Sequence, residues 1–95
     1  MTNGSELDKL PRYASVLLED DFRKRFIQDA IEKAGSLCEL GRILGYTGKA
    51  SNWNVKQILY GKQGIPLFRL KRLCQFMNLS IDQLQNKIKK IKTSK

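Results

Sequence analysis

Apolar residues recur at helical intervals over most of this 95-residue chain, and the points where the rhythm stops mark its elements. Phe22, Phe26, Ile27, Ala30, Ile31 and Ala34 fall on one stripe behind a cap at Asp20 or Asp21. Gly35 closes the run, which predicts a first helix over 22–34. Ser36-Leu37-Cys38-Glu39 is an S-x-x-E capping box, whose serine oxygen accepts from the backbone near Glu39 while the glutamate reaches back to the serine N–H. It opens a second helix over 37–44 that buries Leu37, Leu40 and Leu44, with Gly45 left-handed at its end. A loop over 46–50 leads to a third helix, 51–60, capped by Ser51 or Asn52 and stopped at Gly61. Pro66 at an N1-type position starts a fourth, with Leu67, Leu70, Leu73, Cys74 and Met77 in line to about 78. Ser80-Ile81-Asp82-Gln83 is a second box, S-x-x-Q, which opens a last helix with Ile81, Leu84, Ile88 and Ile91 on one stripe. Ahead of these, residues 1–6 are small and polar and are expected to be disordered; within 7–18 Pro11 disfavours helix just before it, and residues 13–18 suit either a short strand or the first turns of a helix, with extended the preferred reading. The expected fold class is therefore all-α: five helices behind a short extended N-terminal segment. It divides into an N-terminal arm over 1–21, a domain over 22–88 and a basic tail over 89–95.

Within that pattern the stretch Leu40 to Gly61, LGRILGYTGKASNWNVKQILYG, carries a steric signature. Two helices that cross at close range need a small residue where they touch, a left-handed residue to end the first, and branched apolar residues to anchor the second. Gly41, Gly45, Val55 and Ile58 fill those roles. In a helix-turn-helix the anchors usually follow the turn glycine at about six and nine residues. Here Val55 and Ile58 follow Gly45 at ten and thirteen, so four extra residues are expected in the turn, within 46–50.

Charge sharpens the picture. The net charge of +9 is lopsided: residues 1–34 carry six Lys/Arg against seven Asp/Glu, and residues 35–95 carry twelve against two. A basic surface of this kind attracts polyanions, nucleic acid first and an anionic membrane second. With no histidine, a Cys/His zinc site or a His-dependent nucleophile pair is impossible, and two cysteines alone make a poor metal site. No metal, cofactor or small-molecule substrate is expected, nor an enzyme. Cys38 and Cys74 read as reduced, packed thiols. The absence of a secretory leader and of a long apolar run points to a cytoplasmic, nucleoid-associated protein without a membrane span.

The segments S36-L-C-E-L-G-R-I-L-G45, V55-K-Q-I-L-Y-G61, I65-P66-L67 and L79-S80-I-D-Q-L84 together resemble the phage-repressor and Cro-like (lambda repressor-like) helix-turn-helix DNA-binding family over roughly residues 22–88. The longer turn is the departure. The resemblance implies a five-helix domain whose third helix, here 51–60, enters the major groove of double-stranded DNA. From angles alone, Val55, Ile58 and Leu59 define the buried face of that helix, with Trp53, Gln57 and Tyr60 opposite and Asn54 and Lys56 flanking. Asparagine and glutamine amides can pair with the adenine edge through two hydrogen bonds, so Gln57 and Asn54 lead the expected base contacts, joined by Asn52 and Trp53. Lys49, Ser51, Lys56, Tyr60 and Lys62 suit phosphate oxygens. Trp53 has a second reading, as a residue packed under the 46–50 loop.

The C-terminal stripe Ile81, Leu84, Ile88 and Ile91 either packs on the protein's own helices or forms a dimer seam, with Lys87, Lys89, Lys90, Lys92 and Lys95 as a basic tail. A homodimer reading two half-sites is the expected assembly, since a lone domain covers few base pairs. The expected function is a sequence-specific transcription regulator. An architectural protein coating DNA and an antitoxin-type interaction module are the competing classes.

Overall fold

The computed structural model describes residues 9–93. The expectations for residues 1–6, for residues 7 and 8 of the extended segment and for Lys95 lie outside them. The described chain is mostly helical, but it is not all-α. Four α-helices, α1 (Asp20–Ala34), α2 (Leu37–Leu44), α3 (Ala50–Leu59) and α4 (Leu67–Phe76), and a 3-10 helix (Ile81–Lys87) pack with a three-stranded sheet. The strands are β1 (Ser15–Leu18), β2 (Ile65–Pro66) and β3 (Ile88–Lys92), in the order β2-β1-β3 with both pairings antiparallel.

Local chemistry sets most boundaries. Helix α1 starts at Asp20, two residues before the expected 22, with Asp20 and Asp21 in its first turn and Lys33 in its last, each favourable to the helix dipole. Gly35 ends it at φ 107° and donates its N–H to the Ile31 carbonyl. Helix α2 keeps the expected bounds. Only half of its capping box forms: Ser36 Oγ accepts from the Glu39 N–H at 3.1 Å, while the Glu39 carboxylate turns to Arg42 at 3.2 Å. At Ser80 the glutamine arm forms, the Ser80 N–H donating to Gln83 Oε1 at 2.8 Å.

The last expected helix is corrected. Its start is a 3-10 helix, and Ile88–Lys92 is a strand on β1. Ile88 pairs with Leu18 and Ile91 with Val16, and a register irregularity between Leu17 and Leu18 absorbs Lys89 as an extra residue. That bulge lets two isoleucines three apart face the same side of a sheet, which is why their spacing imitates a helix.

The core lies between the inner face of the sheet and the helices. Val16 and Leu18 of β1 meet Phe26, Ile27 and Ala30 of α1, Leu40 and Leu44 of α2, Val55 and Ile58 of α3, Leu70 and Leu73 of α4, and Leu84. Burying each large aliphatic side chain contributes roughly 1.5–3 kcal/mol before entropy is counted. Cys74 is buried in this core, and burial pushes its thiol up to about 11; Cys38 is half-buried, and both are free thiols. Among the described residues no helix is long and apolar enough to cross a membrane.

Candidate nucleic-acid interface

Helix α3 owes its placement to the residue it crosses. A Cβ on Gly41 would lie 2.6 Å from both Ser51 Cβ and the Ser51 carbonyl oxygen, so only glycine lets α2 and α3 approach this closely. Gly45 then ends α2 at φ 103°, and α3 begins at Ala50 after a loop of four residues, Tyr46–Lys49. The helix runs one residue earlier at each end than expected. The extra length therefore sits partly in the loop and partly in the helix ahead of Val55.

Neither expected cap holds the start of α3. Lys49 occupies that position in a right-handed helical conformation with no side-chain cap bond. Ser51 lies inside the first turn, 0 % exposed, and its hydroxyl has no hydrogen-bond partner among the described residues. Ser51 was expected on phosphate; its burial against Gly41 removes it from that role. Asn52, the other expected cap, is exposed on the helix.

Ser51, Val55, Ile58 and Leu59 form the buried rear of α3. The exposed front is Asn52, Lys56, Tyr60 and Trp53, which at 100° per residue span about one quarter of the helix circumference. Trp53 is 58 % exposed and Tyr60 60 %. The indole thus faces solvent, and packing under the 46–50 loop does not describe it. Two large aromatic surfaces beside Lys56 offer stacking and apolar contact at low entropic cost.

Asn54 and Gln57 lie to one side of this front, where the loop after the helix covers them. Asn54 Nδ2 donates to the Ala50 carbonyl at 2.8 Å, and its Oδ1 accepts from Gln63 Nε2 at 3.0 Å. Both ends of that amide are engaged within the protein. The Gln57 carbonyl accepts the N–H groups of Lys62 and Gln63, and its half-buried side chain makes no hydrogen bond among the described residues. Of the four amides and aromatics expected at bases, Asn52 and Trp53 stand on the open front, Gln57 at its margin and Asn54 behind the loop.

The cations form the ends of the surface. Lys49 and Asn52 share a hollow with Arg42 of α2 at the N-terminal end, and Lys62 is exposed just beyond the C-terminal end.

Two arginines that fix this arrangement escaped the sequence reading. Arg23 of α1 is 4 % exposed; its Nε donates to the Leu59 carbonyl at 3.1 Å, and its Nη1 donates to the Leu18 carbonyl at 3.1 Å and to Asp20 Oδ1 at 2.8 Å. It ties the last turn of α3 to β1 and α1. The guanidinium hydrogen bond, with Lys89 nearby, holds the Asp20 carboxyl below the usual carboxylate range. Arg69 of α4 donates to the Leu44 carbonyl at 2.8 Å and lies over the Tyr46 ring at 4.1 Å, clasping the turn between α2 and α3. Burial pushes the Tyr46 hydroxyl up, against the opposing effect of Arg69. A signal for Arg23 was present: positions 23, 26, 27 and 30 follow the i, i+3, i+4, i+7 rule, placing it on the core stripe. For Arg69 no comparable pattern exists.

No protein family, curated protein or solved structure matches the chain.

Proposed function

We propose that this protein binds double-stranded DNA, with α2 and α3 acting as a helix-turn-helix whose second helix enters the major groove, and that it regulates transcription by occupying its site. The observation that carries the reading is the division of α3 into two faces. Its rear is locked to the core by Val55, Ile58 and Leu59, and its front presents Asn52, Trp53, Lys56 and Tyr60 to solvent. A rigid helix with an uncommitted polar and aromatic front, set between cations at both ends, suits a groove lined by base edges and phosphates. In this reading Asn52 and Trp53 meet bases, with Gln57 at the margin, while Lys49, Lys56, Tyr60 and Lys62 meet phosphates. Two copies on a two-fold site form the bound unit.

One observation favours a second reading, a DNA-coating protein with low sequence preference: the Asn54 amide is occupied inside the protein, which leaves few amides for base readout. Selection from a random duplex pool separates the two. An enriched motif, bound in the presence of excess unrelated duplex, supports the regulator; its half-site spacing reports the number of subunits. A pool that emerges unenriched while binding stays strong would favour coating.

A further inference from the structure

The register of the sheet decides where the lysines of β3 stand. Lys90 pairs with Leu17 and Lys92 with Ser15, whereas Val16 and Leu18 of β1 are buried. Side chains alternate across a sheet, so Lys90 and Lys92 share the face turned away from the core, about 7 Å apart along the strand. Lys89, displaced by the bulge, reaches Asp20 at 3.5 Å, and the Lys87 ammonium lies over the Phe22 ring at 5.7 Å. Lys90 and Lys92 have no such partner among the described residues, and neither does Lys62.

These three lysines converge on one groove of about 230 Å³. Ser15 and Leu17 form its floor, and the loop Gly61–Gly64 that continues from α3 forms its far wall. The wall and floor are fixed to each other: a Cβ on Gly64 would stand 2.6 Å from Ser15 Oγ and 3.0 Å from the Val16 carbonyl oxygen. Among the described residues no carboxylate lines the groove. Three lysines that border one hollow on paired strands and a tight loop raise the local positive potential, which a bound anion relieves.

We infer that this groove is a second DNA-binding surface, which takes the phosphodiester backbone flanking the segment read by α3. The inference rests on the duplex-binding reading proposed above and adds a site to it. A linear polyanion is the occupant that fits, because Lys90 and Lys92 lie along a strand, Lys62 faces them across the groove, and the groove begins where α3 ends. Pairing of β3 with a second copy of the chain is opposed by the same lysines, which face their own equivalents across such an edge.

The test compares the full chain with Lys90→Gln/Lys92→Gln and with Lys90→Arg/Lys92→Arg. Binding to a selected duplex and to a scrambled one is measured by fluorescence anisotropy over a salt series. Each lost phosphate contact makes the slope of log K against log salt shallower by about 0.9, so the glutamine variant is expected to lose about 2 from the slope. Its preference for the selected duplex and its thermal melt stay unchanged, and the arginine variant restores the slope. Trp53→Ala, by contrast, is expected to lose preference and keep the slope.

An unaltered slope in the glutamine variant, with Trp53→Ala still losing preference, overturns the groove and leaves the α3 reading intact. A chain that binds no duplex overturns both. Binding to phosphatidylserine vesicles in preference to duplex, abolished by the glutamine pair, assigns the groove to a membrane and overturns the DNA assignment. A mass in solution that halves with the glutamine pair assigns it to a second copy and does the same.

Discussion

The two ends of α3 are secured by different physics. At the C-terminal end Arg23 gives hydrogen bonds to the Leu59 and Leu18 carbonyls and to Asp20, all directional and centred on a buried guanidinium. At the N-terminal end no side-chain cap bond forms among the described residues: Ser51 is pressed on Gly41 with no partner for its hydroxyl among them, and the nearby Asn54 bond to the Ala50 carbonyl comes from within the helix. Directional bonds fix the angle between groups as well as their distance, and close packing fixes how near two elements stand. Helix α3 is thus tied to the sheet by buried polar bonds at one end and seated on α2 by close packing at the other.

Breaking the polar end should have the largest effect. Arg23→Ala strands the Leu59 and Leu18 carbonyls, and an expected loss of about 3 kcal/mol is measurable by urea denaturation; Arg23→Lys, which keeps charge without the fork, should fall between. Crowding the steric end comes next: Gly41→Ala introduces a Cβ where backbone and side chain of Ser51 stand at 2.6 Å, with an expected cost of about 2 kcal/mol. Arg69→Ala removes the Leu44 carbonyl contact and the Tyr46 stacking and should cost about 1 kcal/mol, with the α2–α3 loop gaining faster amide exchange. Ser51→Ala deletes the unpaired hydroxyl and fits the same space. A gain of up to about 1 kcal/mol is expected, and a loss of that size would show that the hydroxyl has a partner and that the N-terminal end is polar too.

Acid provides the mildest discrimination between the ends. The folded Asp20 carboxyl is held below its ordinary 3.8, so its contribution is present above that pH and disappears as the pH falls through the lower folded value. The polar end should therefore weaken below about pH 4. Asp20→Asn should flatten the melting temperature over that interval, and a profile identical to wild type would exclude Asp20 from the clasp.

Legibility followed the range of the interactions. Gly35 and Gly45 end α1 and α2 as read, because a left-handed residue and the turn before it are contained in a few consecutive positions. The buried rear of α3 was equally plain from helical angles. Strand β3 was not: Ile81, Leu84, Ile88 and Ile91 satisfy helical spacing, and the bulge that makes the last two partners of Leu18 and Val16 exists only once a distant strand lies beside them. Ser51 reads as a cap by residue type, but its burial depends on the tertiary crossing at Gly41. Helical angles alone put Asn54 and Gln57 on the outer face of an isolated helix, and the covering loop with Gln63 moves the open front toward Asn52 and Lys56.

The central position of β1 has a consequence for synthesis. One flank of that strand is completed at residues 65–66, and the other stays open until residue 92 has left the ribosome exit tunnel. A nascent chain halted before that point exposes an unsatisfied strand edge rich in valine and leucine, a template for clumping with its neighbours. The late arrival of a lysine-bearing segment both seals that edge and makes it repel its own kind.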